Sequence, residues 1–413
     1  MPGGRRDSWC CSSAVASLAI LLSLGAAMAA RAAPLATRAA ANGTCQSRVE
    51  PFGYKCEEHT VTTADGYILS LQRIPGGRGS GQSATAGNKI PVLLQHGLLM
   101  DGVTWLMNSP NESLGYILAD GGYDVWIANT RGTVYSRGHT TLSSSDPTYW
   151  DWSWDELASN DLSAVVPYVY AQSGQQRLHY VGHSLGTLIA FAALSQRQQL
   201  GMLRSAGLLS PIAYLNKVAS PLALAGADTF LAEALYWLGL DEFDPTGEPV
   251  HKLVTDICSQ PGINCYNMMS VFTGDNCCLD NSSVQVFLAH EPQASATKNM
   301  VHLAQMIRRG TLAKYDYGNA ADNTKHYGQA TPPAYDVSAI PDDFPLFLSY
   351  GGRDTLSDPQ DVSHLLQVLK SHDGDKLTVQ YLEDYAHADF VFAGNARERV
   401  YAPLMAFFKL QDK

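Results

Sequence analysis

Apolar residues recur along this chain in two rhythms. Short, nearly continuous apolar runs at 90–95, 123–128, 177–181 and 206–209 read as strands buried on both faces. Between them, residues 113–120, 152–172 and 185–199 repeat apolar positions at helical spacing. Strands alternating with helices predict an α/β fold, a mostly parallel sheet with helices on both faces. Upstream, the β-rich runs 58–63 and 67–74 flank Ala64-Asp65-Gly66, a hairpin signal, and the Gly/Ser-rich stretch 76–87 reads as a loop. Pro167 lies inside the second helical pattern, where its missing N–H and bulky ring predict a kink or an early end.

From 211 to about 341 the alternation fails. Helical patterns, four cysteines and several Asn/Gly/Pro breaks suggest an insertion, a mainly helical cap or lid over the sheet. Strand and helix order resumes with a strand at 344–350, a helix at 358–372, a strand at 377–382 and a helix at 397–410. The expected organisation is a leader at 1–30, an Ala-rich linker at 31–48, core at 49–210, cap at 211–341 and core again at 342–413.

The N-terminus points to export. Arg5 and Arg6 precede an apolar run of about 17 residues, 14–30, that ends in small residues such as Ala27-Met28-Ala29. A positive flank, apolar centre and small-residue end make a secretory signal peptide, and its alanine-rich half is too weakly apolar for a membrane anchor. No other stretch approaches the roughly 18 apolar residues of a spanning helix. Export makes disulfides the reading of the six cysteines outside the leader: Cys45, Cys56, Cys258, Cys265, Cys277 and Cys278. A Cys45–Cys56 bridge would close a short loop; pairing among the other four does not follow from sequence. Zinc is disfavoured because histidines at ligand spacing are missing. Asn42, Asn111 and Asn281 each open a glycosylation sequon. The destination is the cell exterior, a vacuole or a lysosome. With 28 Lys plus Arg against 39 Asp plus Glu, a net charge of −11 and no basic stripe, nucleic acid is not expected as a partner.

The chemistry sits where the third core strand meets its helix, at Gly182-His183-Ser184-Leu185-Gly186. G-x-S-x-G on a strand–turn–helix exposes a serine at a helix N-terminus; alone it also fits a plain turn, so its partners decide. A serine hydroxyl needs a base, and the base an orienting carboxylate. Downstream, Asp354 follows one strand end and His387 the next, in the chain order Ser, acid, His. The oxyanion requires two N–H donors. Leu185, next after the serine, supplies one, and Leu98 of His96-Gly97-Leu98-Leu99 the other, with Leu99 second. Blander roles fit the neighbours: Asp358 as a helix cap, Glu383 and Asp389 as polar loop groups, His364 and His372 as helix residues, and His96 and His183 as supports.

These motifs, with Asn129-Thr-Arg-Gly, Gly351-Gly-Arg-Asp, Tyr385-Ala-His-Ala-Asp-Phe, the N-terminal Tyr54-Lys-Cys-Glu-Glu-His-Thr-Val-Thr-Thr-Ala-Asp-Gly-Tyr and the cap segment Lys298-Asn-Met-Val-His, resemble the acid lipase family of α/β-hydrolases, which includes gastric, lysosomal and plant triacylglycerol lipases. The resemblance runs from about Val49 onward. It implies an α/β-hydrolase core, a cap with a lid, and hydrolysis of carboxylic esters of neutral lipids without cofactor or metal, with transient contact to a lipid surface. Leu185 matches plant-like members, where animal members carry Gln. A general carboxylesterase or a lipid acyltransferase would use the same triad, and a ligand-binding receptor would use the same scaffold.

Overall fold

The strands form in the order and near the places that the apolar runs predict. A computed structural model describes residues 43–78, 89–174, 176–245, 247, 268–279, 286–287 and 290–412. The leader, Asn42, Asn281, Cys258, Cys265 and most of the 76–87 loop lie outside the described residues. The strands are β1 (Glu57–Thr62), β2 (Tyr67–Ile74), β3 (Pro91–Gln95), β4 (Asp124–Ala128), β5 (Gly138–His139), β6 (Leu178–His183), β7 (Leu203–Leu209), β8 (Glu242–Phe243), β9 (Ser295–Ala296), β10 (Leu346–Gly351) and β11 (Leu377–Leu382). The main sheet runs β1-β2-β4-β3-β6-β7-β10-β11, with β5 pairing on β2. From β4 to β11 every pairing is parallel; β1, β2 and β5 make the antiparallel edge. The β1–β2 turn is tied by side chains. The Thr63 hydroxyl donates to Asp65 at 2.6 Å and accepts the Tyr67 N–H at 2.9 Å.

Alternation along the central strands splits the core between the two faces. Leu93 and Trp126 pack with Val165, Val166, Leu188 and Phe191; their neighbours Val92, Leu94, Val125 and Ile127 pack with Leu114, Leu118, Leu404 and Phe408. Helices thus cover both sides, which is why β3, β4 and β6 are buried along their whole lengths.

Besides shifts of a few residues at β7 and at the ends of the helices expected at 185–199 and 358–372, three differences from the sequence reading bear on the fold. β6 continues past 181 through Gly182 to His183, so the strand runs directly into the serine turn. Pro167 neither ends nor interrupts the helix Leu162–Gln172, which follows a wider turn at Leu157–Asp161. Its buried face (Leu162, Val165, Val166, Val169) packs on the sheet and outweighs the roughly 3 kcal/mol penalty of an internal proline. Residues 43–48, expected as the end of a linker, are built in. Cys45 is bonded to Cys56 and its N–H donates to Glu58 at 2.8 Å, while Arg48 donates to the Leu106 and Met107 carbonyls.

Between β7 and β10 no described residue joins the main sheet; β8 and β9 pair only with each other. Helix Thr297–Arg309 packs against Pro221–Asp228 and Leu231–Trp237. It is anchored by buried Val301, His302, Ala304 and Met306, and Gly310 ends it at φ 65°. Among the described residues no helix is long and apolar enough to cross a membrane.

Candidate active site

Ser184 stands between β6 and the helix Leu185–Ser195 at φ 54°, ψ −118°, a conformation that non-glycine residues rarely adopt. The crossing is too tight for side chains on its flanks. A Cβ on Gly186 would lie 2.5 Å from the Gln95 carbonyl, and one on Gly182 would lie 2.7 Å from the Gly186 backbone. The turn is further held by the Tyr180 hydroxyl, which donates to the Gly186 carbonyl at 2.6 Å, and by the Thr187 hydroxyl, which donates to the Ser184 carbonyl at 2.6 Å.

Asp354 and His387 come from the ends of β10 and β11 and meet in the interior. His387 Nδ1 lies 3.0 and 2.9 Å from the two Asp354 carboxylate oxygens, and both residues are buried. Asp354 Oδ1 also accepts the Leu356 and Ser357 N–H groups at 2.9 and 2.8 Å, which fixes the carboxylate before it orients the ring. His387 Nε2 is buried and has no protein hydrogen-bond partner. The loop carrying His387 docks on the residue before the serine: His183 Nε2 donates to the His387 carbonyl at 3.0 Å, with ring centroids 4.9 Å apart.

Loop 96–99 closes the other side. A Cβ on Gly97 would come to 3.1 Å from Ser184 Cβ, so the loop lies against the serine. His96 pins it, Nδ1 donating to the Gly97 carbonyl at 2.8 Å and Nε2 accepting the Thr130 N–H at 3.1 Å. Burial lowers His96 to about 4 and His183 to about 3, so both are neutral supports. Among the described residues, neither Leu98 nor Leu185 gives its backbone N–H to a protein acceptor. Leu99 adopts φ 57°, a second left-handed non-glycine residue beside the serine.

The neighbours mostly take the bland roles. Asp358 caps the helix Pro359–Val368 by accepting the Gln360 N–H at 2.8 Å. Glu383 is exposed, His372 is a partner of the Phe344 carbonyl, and His364 packs on Tyr214. Asn111 is exposed in a turn. Asp389 departs from its reading as a polar loop group. It is fully buried and accepts the N–H groups of Ala386, Cys277 and Cys278 at 2.8, 3.1 and 3.1 Å. The same junction is sewn by His387 N–H to the Thr273 carbonyl, Ala388 N–H to Asn276 Oδ1 and Gly394 N–H to the Cys278 carbonyl. Cys277 and Cys278 are bonded to each other, so neither sulfur is available there as a thiolate ligand. The signal for Asp389 was its spacing two residues after His387, a place where a carboxylate can cap the base's own loop.

Residues 45–109 match the family described as a partial alpha/beta-hydrolase lipase region, and residues 90–232 match the alpha/beta hydrolase fold. The chain is 51% identical over 374 residues to triacylglycerol lipase 2 of Arabidopsis thaliana, covering 91% of this chain and 89% of that one. It is 36% identical over 371 residues to gastric triacylglycerol lipase of Rattus norvegicus, covering 89% and 91%. A soluble variant of monoglyceride lipase from Saccharomyces cerevisiae shares the fold at a TM-score of 0.52 and 16% identity, covering 87% of this chain and 96% of that one. With such identity over nine-tenths of its length, the chain belongs to the lipase family of α/β-hydrolases and is a carboxylic ester hydrolase.

Proposed function

We propose that this chain is a serine lipase of the secretory pathway that cleaves triacylglycerol-like neutral lipids through an acyl-enzyme on Ser184. The observation that carries the reading is the buried His387–Asp354 pair at 2.9 Å, its carboxylate prefixed by two backbone N–H groups, beside a strained serine turn. His387 takes the Ser184 proton as the hydroxyl attacks the ester carbonyl. Leu185 and Leu98 N–H groups receive the oxyanion. His387 then protonates the departing alcohol, and water, activated by the same ring, releases the fatty acid. Asp354 keeps the proton on Nδ1 and balances the imidazolium.

Residues 211–341 act as the cap in this reading. Exposed apolar side chains support its contact with a lipid surface: Phe230, which precedes the helix Leu231–Trp237, is 55% exposed, Trp237, which ends it, is 85% exposed, and Leu238 follows. The apolar leader, the Cys45–Cys56 bridge and the sequons at Asn42, Asn111 and Asn281 support export, to the exterior, a vacuole or a lysosome. The names of the plant and gastric relatives support triacylglycerol as the substrate class.

The test compares wild type, Ser184→Ala and Trp237→Ser on a soluble short-chain ester and on an emulsified long-chain triacylglycerol. Ser184→Ala is expected to lose about 10³-fold or more in kcat on both. Trp237→Ser should weaken hydrolysis of the emulsion and spare the soluble ester. Turnover of the soluble ester alone by wild type would make the chain a general esterase, and full activity in Ser184→Ala would overturn the site.

A further inference from the structure

The loop that bears Leu98 is fastened at both ends. His96 holds its start, and its far end is tied to a segment of the proposed cap. The Leu99 carbonyl accepts the Gln293 N–H at 2.8 Å, and the Asp101 N–H donates to Glu291 Oε1 at 3.1 Å. Gln293 is itself held, Oε1 accepting the Val134 N–H and Nε2 donating to the His290 carbonyl. Here two carboxyl groups meet in the interior, Asp101 0% and Glu291 5% exposed. Asp101 Oδ1 accepts the Val103 N–H at 2.7 Å. Asp101 Oδ2 and Glu291 Oε2 are buried and have no partner.

Two buried, interacting carboxyl groups disfavour ionising together, and a proton held on one of them gives the other an O–H donor. Burial is the main cause raising both groups, and Asp101 adds a repulsive push on Glu291. The other titratable groups at this corner are Tyr135, which feels both carboxylates and Glu58, Arg48 beyond Tyr135, and His290, next in sequence to Glu291. Leu99, two residues from Asp101, keeps its left-handed backbone only while its surroundings enforce it.

We propose that Asp101 and Glu291 hold one proton between them and serve as a positioning pair, tying loop 96–101 and its Leu98 N–H to the segment 290–293. The proposal rests on reading that loop as half of the oxyanion hole. Loss of the proton leaves two facing negative charges, and the loop loses its fastening while Ser184, Asp354 and His387 keep theirs. Turnover therefore falls on the alkaline side, a limb that the triad does not create, since neutral His387 is its working form.

The pH profiles of kcat and KM on a soluble short-chain ester, read as acid released, test this for wild type, Glu291→Gln and Asp101→Asn. Ser184→Ala is the control, and each protein's thermal unfolding is followed. Wild-type kcat is expected to fall about tenfold from its maximum to about pH 9 with KM within about threefold, part of the 10²–10³-fold that an oxyanion donor contributes. Either amide still hydrogen-bonds the remaining carboxylate without titrating, so acid-side kcat should stay within about threefold and the alkaline fall should move up by about one pH unit or more. An unchanged alkaline fall in both folded variants, or an equal loss at every pH, overturns the pair. Activity in Ser184→Ala would instead overturn the site reading. Should the variants unfold, amide exchange in wild type decides. Protection of Asp101 and Gln293 relative to Leu188 must drop across the same pH span, and constant relative protection refutes the proposal.

Discussion

At the scale of single residues, the chemistry was legible because it demands particular side chains at particular strand ends. Ser184, Asp354 and His387, the proposed triad, are expected from motif, strand ends and chain order, and the structure brings the latter two into one buried pair. His96 and His183 also fit their expected supporting roles, since each hydrogen-bonds a backbone that shapes the serine turn. What sequence could not give was the Asp101–Glu291 contact, 190 residues apart along the chain. Neither residue lies in a motif, and only the fold brings them together. The glycines carry a sharp prediction. Gly186→Ala would place its Cβ 2.5 Å from a backbone oxygen of β3, which no side-chain rotation relieves. The variant should lose about 1–3 kcal/mol by urea unfolding, as overpacked sites do, and kcat should fall further because the turn and loop 96–99 shift together. Wild-type stability and kcat in Gly186→Ala would contradict this account of the turn.

At the scale of elements, the central strands are legible because both faces are buried and the residues are nearly all apolar, so pattern and structure coincide for β3 and β4 to within a residue, and the partly exposed edge strand β11 also matches its expected range. Helix ends and the Pro167 prediction were less so, because tertiary packing decided them. The least legible element is the segment at 268–279. It carries neither a regular strand rhythm nor a catalytic motif, and its role is long-range: it clamps the His387 loop through Thr273, Asn276, Cys278 and the buried Asp389 carboxylate. Asp389→Asn would leave an oxygen for at most two of the three N–H donors and aim an NH₂ at the remainder. We expect a loss of about 1–3 kcal/mol, since unsatisfied buried donors carry their full desolvation cost, together with a fall in kcat and little change in KM. Differential scanning calorimetry with steady-state kinetics checks both; an unaltered melting temperature would remove Asp389 from this role.

At the scale of the whole molecule, buried titratable groups set how the fold responds to acid. His302 is stacked on Trp154 between Ser153 and the Ala313 carbonyl, and burial lowers it from 6.5 to about 3. With His96 and His183 it contributes stability that is complete above the ordinary histidine value and is lost as pH falls toward the lowered ones. Asp101, Glu291 and Asp389, raised chiefly by burial, act with the opposite sign: their contribution is complete below the ordinary carboxylate range and is lost as pH rises through the raised values. Stability is therefore squeezed from both sides. His302→Gln should lower stability at neutral pH yet reduce the slope of unfolding free energy between about pH 6 and about pH 4 by about one proton. Chemical denaturation at several pH values measures that slope, and an unchanged slope would mean that His302 does not resist charging in the fold.

The parallel order of the sheet has a consequence in time. β3 and β6 are direct neighbours, so loop 96–99 and the serine turn can form as soon as those strands pair. β10, which delivers Asp354, must cross the long connection from Leu209 to Leu346 before it can add to β7, and β11 with His387 adds after it. Closing so distant a contact is slow, because the chain gives up its entropy before the contact rewards it. On this argument the serine turn is expected to form before β10 and β11 bring Asp354 and the proposed base, His387, beside it. A chain that has not yet added β10 and β11 would hold the proposed nucleophile without its partners, so ester cleavage is expected only once those strands are in place.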